Sequence, residues 1–241
     1  MGVAVELKGC VKRLVSSDSE FWLEVEQVHL EQGEFVGFVG RSGSGKSTFL
    51  DLLSLASTPD EIESYILAVD GIKHDLTDLI LQSDDEALSA IRLQHFGYIL
   101  QSGGLIDCLN VKENINLVPS ILRSKQLSAD SPTVGMLDMD SHMNKRTSQL
   151  SGGQRQRVSI LRALSGTPTI IVADEPTAAI DEAMADVIIK QLKSLTQLAG
   201  VTVSLVSHDL DLVYQYCDTV IEMKPKQIGN NRVLTKIQRI C

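Results

Sequence analysis

Gly40-Arg41-Ser42-Gly43-Ser44-Gly45-Lys46-Ser47 fits the spacing G-x-x-x-x-G-K-[ST]. Glycines at these intervals let backbone N–H groups turn inward on an anion, and a helix beginning at the last of them aims its positive end at the same point. A phosphate chain is the anion that suits such a cradle. Lys46 is then expected to reach the β- and γ-phosphates of a nucleoside triphosphate, and the hydroxyl of Ser47 to ligate a Mg²⁺ bridging them, with Thr48 closing the loop.

A second set of groups stands far along the chain. Asp174-Glu175 follows the apolar run Thr169-Ile170-Ile171-Val172-Ala173, so both acids fall at the carboxyl end of a strand, the edge where open α/β sheets hold ligands. Asp174 is expected in the Mg²⁺ shell, and Glu175 as the general base that polarises a water in line with the γ-phosphate. An acidic pair after a strand is often no more than a solvated loop; the phosphate loop upstream makes the catalytic reading the stronger one. Leu150-Ser151-Gly152-Gly153-Gln154 is a further anion site, because two glycines permit close backbone approach and Ser151 sits where a helix begins. One chain thus carries two phosphate-binding helix ends, which are read as serving different nucleotides in a two-fold dimer.

These groups require elements to position them. Phe35-Val36-Gly37-Phe38-Val39 reads as a strand before the phosphate loop, and Thr48 to Leu55 as a helix after it, since its leucines recur at helical spacing. Residues 3–39 alternate like strands with one exposed face, broken at Ser16-Ser17-Asp18-Ser19 and at Gln32-Gly33. Residues 56–95 read as turns with a helix near Asp84–Leu93. From Asn110 to Ser148 the pattern is short and helical, interrupted by Pro119 and Pro132, so a small helical insert is expected. A helix starts near Gly153, and Thr169–Ala173 is a strand buried on both faces, as in a parallel sheet. Val201 to Val206 makes another, ending at Ser207-His208-Asp209.

The fold class expected is α/β: a P-loop NTPase core with a mostly parallel sheet, an N-terminal antiparallel β layer, and a helical subdomain over about residues 102–155 within a single domain spanning 1–241. A length of 241 residues, with 43% hydrophobic and 22% charged, suffices for one such core. No apolar run reaches the roughly 18 residues of a membrane span, and Met1 to Glu6 lacks an export signal or a myristoylation pattern, so a cytoplasmic chain is expected. Cys10, Cys108, Cys217 and Cys241 have no paired spacing and read as reduced thiols without a metal or redox role. A net charge of −9 argues against a nucleic-acid partner.

Over nearly the full chain these residues resemble the nucleotide-binding subunit of ATP-binding cassette (ABC) transporters. Gly40–Thr48 resembles the family's phosphate loop, Gln101 after Phe96-Gly97-Tyr98-Ile99-Leu100 its glutamine loop, and Leu150–Gln154 its signature sequence. Thr169–Pro176 resembles its magnesium strand with the catalytic glutamate, Ala178-Ala179-Ile180-Asp181 its dimer-contacting loop, and His208 its switch histidine. The resemblance implies that ATP is sandwiched between the phosphate loop of one subunit and Ser151, Gly152 and Gly153 of the other, with Gln154 and Asp181 beside the nucleotide. It further implies that Gln101 contacts the metal or the attacking water and reports on a docked membrane permease, and that His208 bonds the γ-phosphate.

Two features depart from the family's usual pattern. Leu14 stands where an aromatic ring ordinarily stacks on adenine, leaving an apolar contact from Leu14, or a ring from Phe21 or Trp22, although those two read as strand residues. The helical insert is also shorter than in many relatives. Gly33-Glu34-Phe35-Val36, Gln101-Ser102 with Leu105-Ile106, and Ala173-Asp174-Glu175-Pro176-Thr177 look most like the branch powering lipoprotein release and macrolide-type efflux. Two other readings compete. A soluble ABC-type ATPase acting on DNA or ribosomes should carry paired cassettes, zinc modules or long coiled-coil insertions, and a small P-loop kinase should carry an arginine-rich lid and leaves Leu150–Gln154 unexplained.

Overall fold

A computed structural model of the chain describes residues 2–17, 19–101, 103–178, 180–228 and 232–240. Met1, Asp18, Ser102, Ala179 and Cys241, which figure in the readings above, lie outside the described residues. The first two strands, β1 (Val3–Val15) and β2 (Glu20–Glu31), pair antiparallel and are followed by β3 (Phe35–Val39) and helix α1 (Lys46–Leu53). Then come β4 (Ser64–Val69), β5 (Ile72–Asp75), α2 (Thr77–Leu81), α3 (Asp85–His95) and β6 (Phe96–Ile99). The insert holds α4 (Val111–Ile115), α5 (Leu117–Leu122), α6 (Pro132–Met136) and two single 3₁₀ turns, Asp140–His142 and Thr147–Gln149. The chain closes with α7 (Gly152–Ser165), β7 (Ile170–Asp174), α8 (Glu182–Ala199), β8 (Thr202–Val206), α9 (Leu210–Tyr216), β9 (Thr219–Ile228) and β10 (Arg232–Ile240).

Ten strands join in the order β5-β4-β1-β2-β10-β9-β3-β8-β7-β6. The half from β9 to β6 is parallel, whereas β5, β4, β1 and β2 pair antiparallel. Strand β10 welds the halves together by running parallel to β2 and antiparallel to β9. The fold is therefore α/β with the expected antiparallel N-terminal layer.

The apolar run of β7 shows why a parallel strand carries no polar alternation. Ile170 and Val172 enter one core cluster with Phe38, Phe49 and Leu50, while Ile171 and Ala173 enter a second with Val158, Leu161, Ile188 and Leu192. Both faces are covered by helices, so every position must be apolar. Burying Phe49 or Leu50 fully, as here, contributes about 1.5–3 kcal/mol each.

The prolines of the insert behave as their chemistry requires. Pro132 opens α6, and Pro119 falls in the first turn of α5, where its missing N–H costs no helical bond. Helix α4 ends one residue before α5 begins, at Asn116. This buried side chain donates to Lys112 O at 3.0 Å and Leu127 O at 2.8 Å, and accepts from Leu127 N at 2.7 Å. The same parallel topology gathers the ends of β3, β6, β7 and β8 at one edge of the sheet, and every cleft residue except the hairpin pair follows one of those ends.

Candidate functional site

Strand β3 is buried throughout and delivers the chain to Gly40. A Cβ on Gly40 would stand 2.6 Å from the carbonyl oxygen of Met223, so only glycine lets the loop start so close to β9. The loop tightens through Ser44 N–H donating to Arg41 O at 3.1 Å, and Gly45 completes it in the left-handed region, φ +89°. Gly45 is also the N-cap of α1, and no side chain caps that helix. The amides of its first turn are thus left for a ligand. Lys46 folds back over the loop, its Nζ donating to Gly40 O at 2.9 Å and Arg41 O at 3.1 Å. Burial lowers the Lys46 pKa while Glu175 and Asp174 oppose the shift, so the ammonium is partly desolvated and solvated by carbonyls that a phosphate can replace.

Glu175 leaves β7 in the left-handed region, φ +49°, with its N–H bonded to Val206 O at 2.9 Å. A glutamate pays strain there, and the turn swings its carboxylate back into the cleft. The residue is only 7% exposed. Its Oε2 accepts the backbone N–H of His208 at 3.2 Å, whereas Oε1 is buried without a hydrogen-bond partner among the described residues. His208 Nε2 lies 3.3 Å from Oε1, an ion pair only when the imidazole is protonated. Burial is the main cause holding the Glu175 pKa above the ordinary carboxylate range; the His208 contacts and Lys46 pull it down, and Asp174 adds to the rise. A carboxylate of raised basicity with an unsatisfied oxygen is suited to accept a proton from a water.

Gln101 follows β6 in an exposed turn. The loop around it is fastened to α7 from below: Gln156 Nε2 donates to Leu100 O at 3.3 Å, and Arg162 donates to Gly103 O at 3.1 Å and Gly104 O at 2.7 Å. One cleft of about 500 Å³ collects Ser42, Gly43, Gly45, Lys46, Ser47, Thr48, Gln101, Asp174, Glu175 and His208, closed at one end by Leu14 and Phe21. Ser47, Gln101 and Asp174 give that cleft hard oxygen donors. Such a set fits Mg²⁺, which binds few protein oxygens and takes the rest from phosphate and water, and it leaves room for both.

Ser151 caps α7 and forms a reciprocal box with Gln154: Gln154 N–H donates to Ser151 Oγ at 3.2 Å, and Ser151 N–H to Gln154 Oε1 at 3.0 Å. Gln154 Nε2 meets His142 Nε2 at 3.0 Å. Gly152 and Gly153 form the first turn of the helix. None of these four residues lines the cleft that holds the phosphate loop. Asp181 is likewise absent from that lining; it is exposed and caps α8 by accepting from Met184 N at 3.1 Å.

Comparison with known proteins decides the family, since the model described as ABC transporter matches residues 23–178. The chain belongs to the ABC transporter family. This ABC cassette is 34% identical over 239 residues to the uncharacterized ABC transporter ATP-binding protein MJ0796 of Methanocaldococcus jannaschii, covering 95% of this chain and 97% of that one. It is 35% identical over 229 residues to the macrolide export ATP-binding/permease protein MacB of Pasteurella multocida, covering 93% of this chain but only 33% of that protein. The cassette thus spans about a third of that relative's length. Among solved structures, the dimeric post-hydrolysis state of the MJ0796 cassette bound to ADP and phosphate superposes with a TM-score of 0.79 at 32% identity, covering 91% and 94% of the two chains. The chain is an ATP-binding, ATP-hydrolysing subunit of this family, and the branch that includes the MacB proteins is the one its relatives name.

Two contributors to the site do not stand out in the sequence reading. Arg162 and Gln156 are ordinary helix residues until the fold sets them under the Gln101 loop, and no spacing rule reveals that. Phe21, read above as a strand residue and as a substitute ring for the adenine contact, lies in β2, and its ring also forms the apolar end of the cleft. The signal available was its position opposite Leu14 across the β1–β2 pair.

Proposed function

We propose that this cassette powers a membrane-embedded permease by closing as a head-to-tail homodimer around two ATP molecules. The observation that supports it most is the separation of the two phosphate-binding helix ends: α1 opens into the cleft, while Ser151 at the start of α7 lies outside it. A second copy turned by a two-fold axis supplies its Ser151, Gly152 and Gly153 to the open side of the first, and Asp181 stands near the same seam. The dimeric ADP- and phosphate-bound relative supports such an assembly.

Within each half, Lys46 exchanges the carbonyls of Gly40 and Arg41 for the β- and γ-phosphates. Ser47, Gln101 and Asp174 would hold Mg²⁺, which would supply positive charge to offset that of the phosphates. Glu175 orients a water at the γ-phosphorus and takes its proton on Oε1 as the new P–O bond forms and the bond to ADP breaks; His208 donates to a γ-phosphate oxygen. Residues 102–155 act as the subdomain facing the permease, and the tie from Arg162 to Gly103 and Gly104 carries its movement to Gln101. The cassette sits on the inner face of the membrane beside the permease, and the acidic balance argues against a nucleic-acid partner. Purification of the tagged protein from gently solubilised membranes tests this. A multi-span protein with a large extracytoplasmic domain is the expected companion, and recovery only with ribosomes or DNA overturns the transport reading in favour of the soluble one.

A further inference from the structure

His142 ends the first 3₁₀ turn of the insert, and its backbone is held from two sides. Met139 and Met143, before and after it in sequence, are buried in the core cluster that contains Val158 and Leu161 of α7. The start of α4 grips the same stretch, with Lys112 N–H donating to Met143 O and Val111 N–H to Lys145 O, each at 2.9 Å. The imidazole so placed meets the signature end of α7, where Gln154 Nε2 lies 3.0 Å from His142 Nε2.

The neighbours of that contact fix where its hydrogens are. A backbone N–H only donates, so the Gln154 atom that Ser151 N–H meets at 3.0 Å is the carbonyl Oε1. The atom turned to His142 is then the amide nitrogen, which also only donates. His142 Nε2 must accept, and the ring hydrogen sits on Nδ1, 2.9 Å from Ser141 Oγ. Both ends of the Gln154 amide are thereby engaged within its own chain. A flipped amide would turn its oxygen on the lone pair of His142 and its –NH₂ on Ser151 N–H, undoing the capping box. Within that box Ser151 Oγ spends a lone pair on Gln154 N–H, which leaves the hydroxyl hydrogen to be given to an anion.

We infer that His142 is a positioning residue for hydrolysis: by accepting from Gln154 it locks the cap of α7 in the one arrangement that frees the Ser151 hydroxyl hydrogen for the γ-phosphate held by a second copy. The inference rests on the proposed two-fold dimer and places no atom of His142 on the nucleotide. His142, Gln154 and Ser151 all lie outside the cleft of their own chain. The effect of His142 therefore belongs to turnover, and the first binding of nucleotide by a single chain does not depend on it.

Ring-nitrogen NMR of isotope-labelled protein, in mildly alkaline buffer where a free imidazole is neutral, reads the tautomer directly. The His142 signal, assigned by its loss in His142→Gln, is expected to carry its proton on Nδ1. Gln154→Glu, which sets a carboxylate oxygen against the ring, is expected to put a proton on Nε2. Turnover at saturating ATP and protein should fall about three- to tenfold in His142→Leu, the worth of the one bond removed, and should be kept in His142→Gln, whose side-chain oxygen supplies an acceptor at similar reach. Affinity for ADP, read by calorimetry, should move in neither. A proton on Nε2 in the parent protein, a tautomer unmoved by Gln154→Glu, unchanged turnover in His142→Leu, or a loss in His142→Gln as deep as in His142→Leu overturns the inference. Ser151→Ala separates this from failure of the dimer reading. If that variant hydrolyses ATP as fast as the parent, the dimer reading falls and the inference with it; if it is slow while His142→Leu is not, the inference alone falls.

Discussion

At the scale of single residues the account turns on two charges that the fold has made uncomfortable. Glu175 is buried in a left-handed turn with one oxygen unpartnered, and burial raises its pKa. Replacement by Gln should leave ATP bound and lower turnover by about 10²–10⁴-fold, the usual worth of a general base, as read from phosphate release. The same shift predicts a stability effect of definite sign. The protonated carboxyl is the form the fold prefers, so its contribution is complete below the unfolded-state pKa of about 4.3 and is lost as pH rises through the raised native value. Glu175→Gln should therefore melt higher than the parent protein near neutral pH, and the two melting curves should converge as the pH approaches 4. A constant difference across that range would mean that ionisation is not the cause. Lys46→Ala should weaken nucleotide binding by about 10- to 100-fold, since a charge-assisted bond contributes about 1.5–3 kcal/mol. Unchanged affinity by titration would count against the cradle.

At the scale of elements, what could be read in advance depended on whether a local signal matched the period of the structure. β3, the phosphate loop and α1 were legible because glycine spacing, a buried run and helical leucines agree with one another. The start of α7 and the strand β7 were legible for the same reason. Residues 56–95 read as turns with a helix near Asp84–Leu93; α3 stands there, yet the segment also contains β4 and β5. Their hairpin carries a signal that was passed over: Asp70 and Gly71 both take positive φ, 51° and 79°, the pair a two-residue turn demands. β5 is exposed along its length, so no alternation announced it. Helix α8 also went unread, although Asp181 caps it, Gly200 ends it at φ +65°, and Ile188, Ile189 and Leu192 mark its buried face. Strands β9 and β10 complete the sheet through pairings far apart in sequence, which no local pattern records. The joint of the insert gives a prediction at this scale. Asn116→Leu removes three bonds, leaving the amide and carbonyl of Leu127 unpaired, and should destabilise the protein by about 1–3 kcal/mol in denaturant unfolding. ATP affinity at the remote phosphate loop should not move; a matching loss of affinity would show that the insert supports the loop directly.

At the scale of the whole molecule, the sheet sets the division of labour. Parallel pairing brings the ends of β3, β6, β7 and β8 to one edge, where one chain assembles its cradle, carboxylates and histidine. The same topology leaves Ser151 at the start of α7, outside that cleft and bonded to Gln154. Under the proposed function, a chain built this way binds a triphosphate by itself and completes the site only with a second copy. Among the described residues no helix is long and apolar enough to cross a membrane. The most direct test of that central claim is ATP turnover per chain, measured at saturating nucleotide over a dilution series that passes below self-association. The account predicts a rate per volume that rises with the square of protein concentration in the dilute limit, so that the rate per chain falls toward zero on dilution. A rate per chain that stays constant across the series would contradict it.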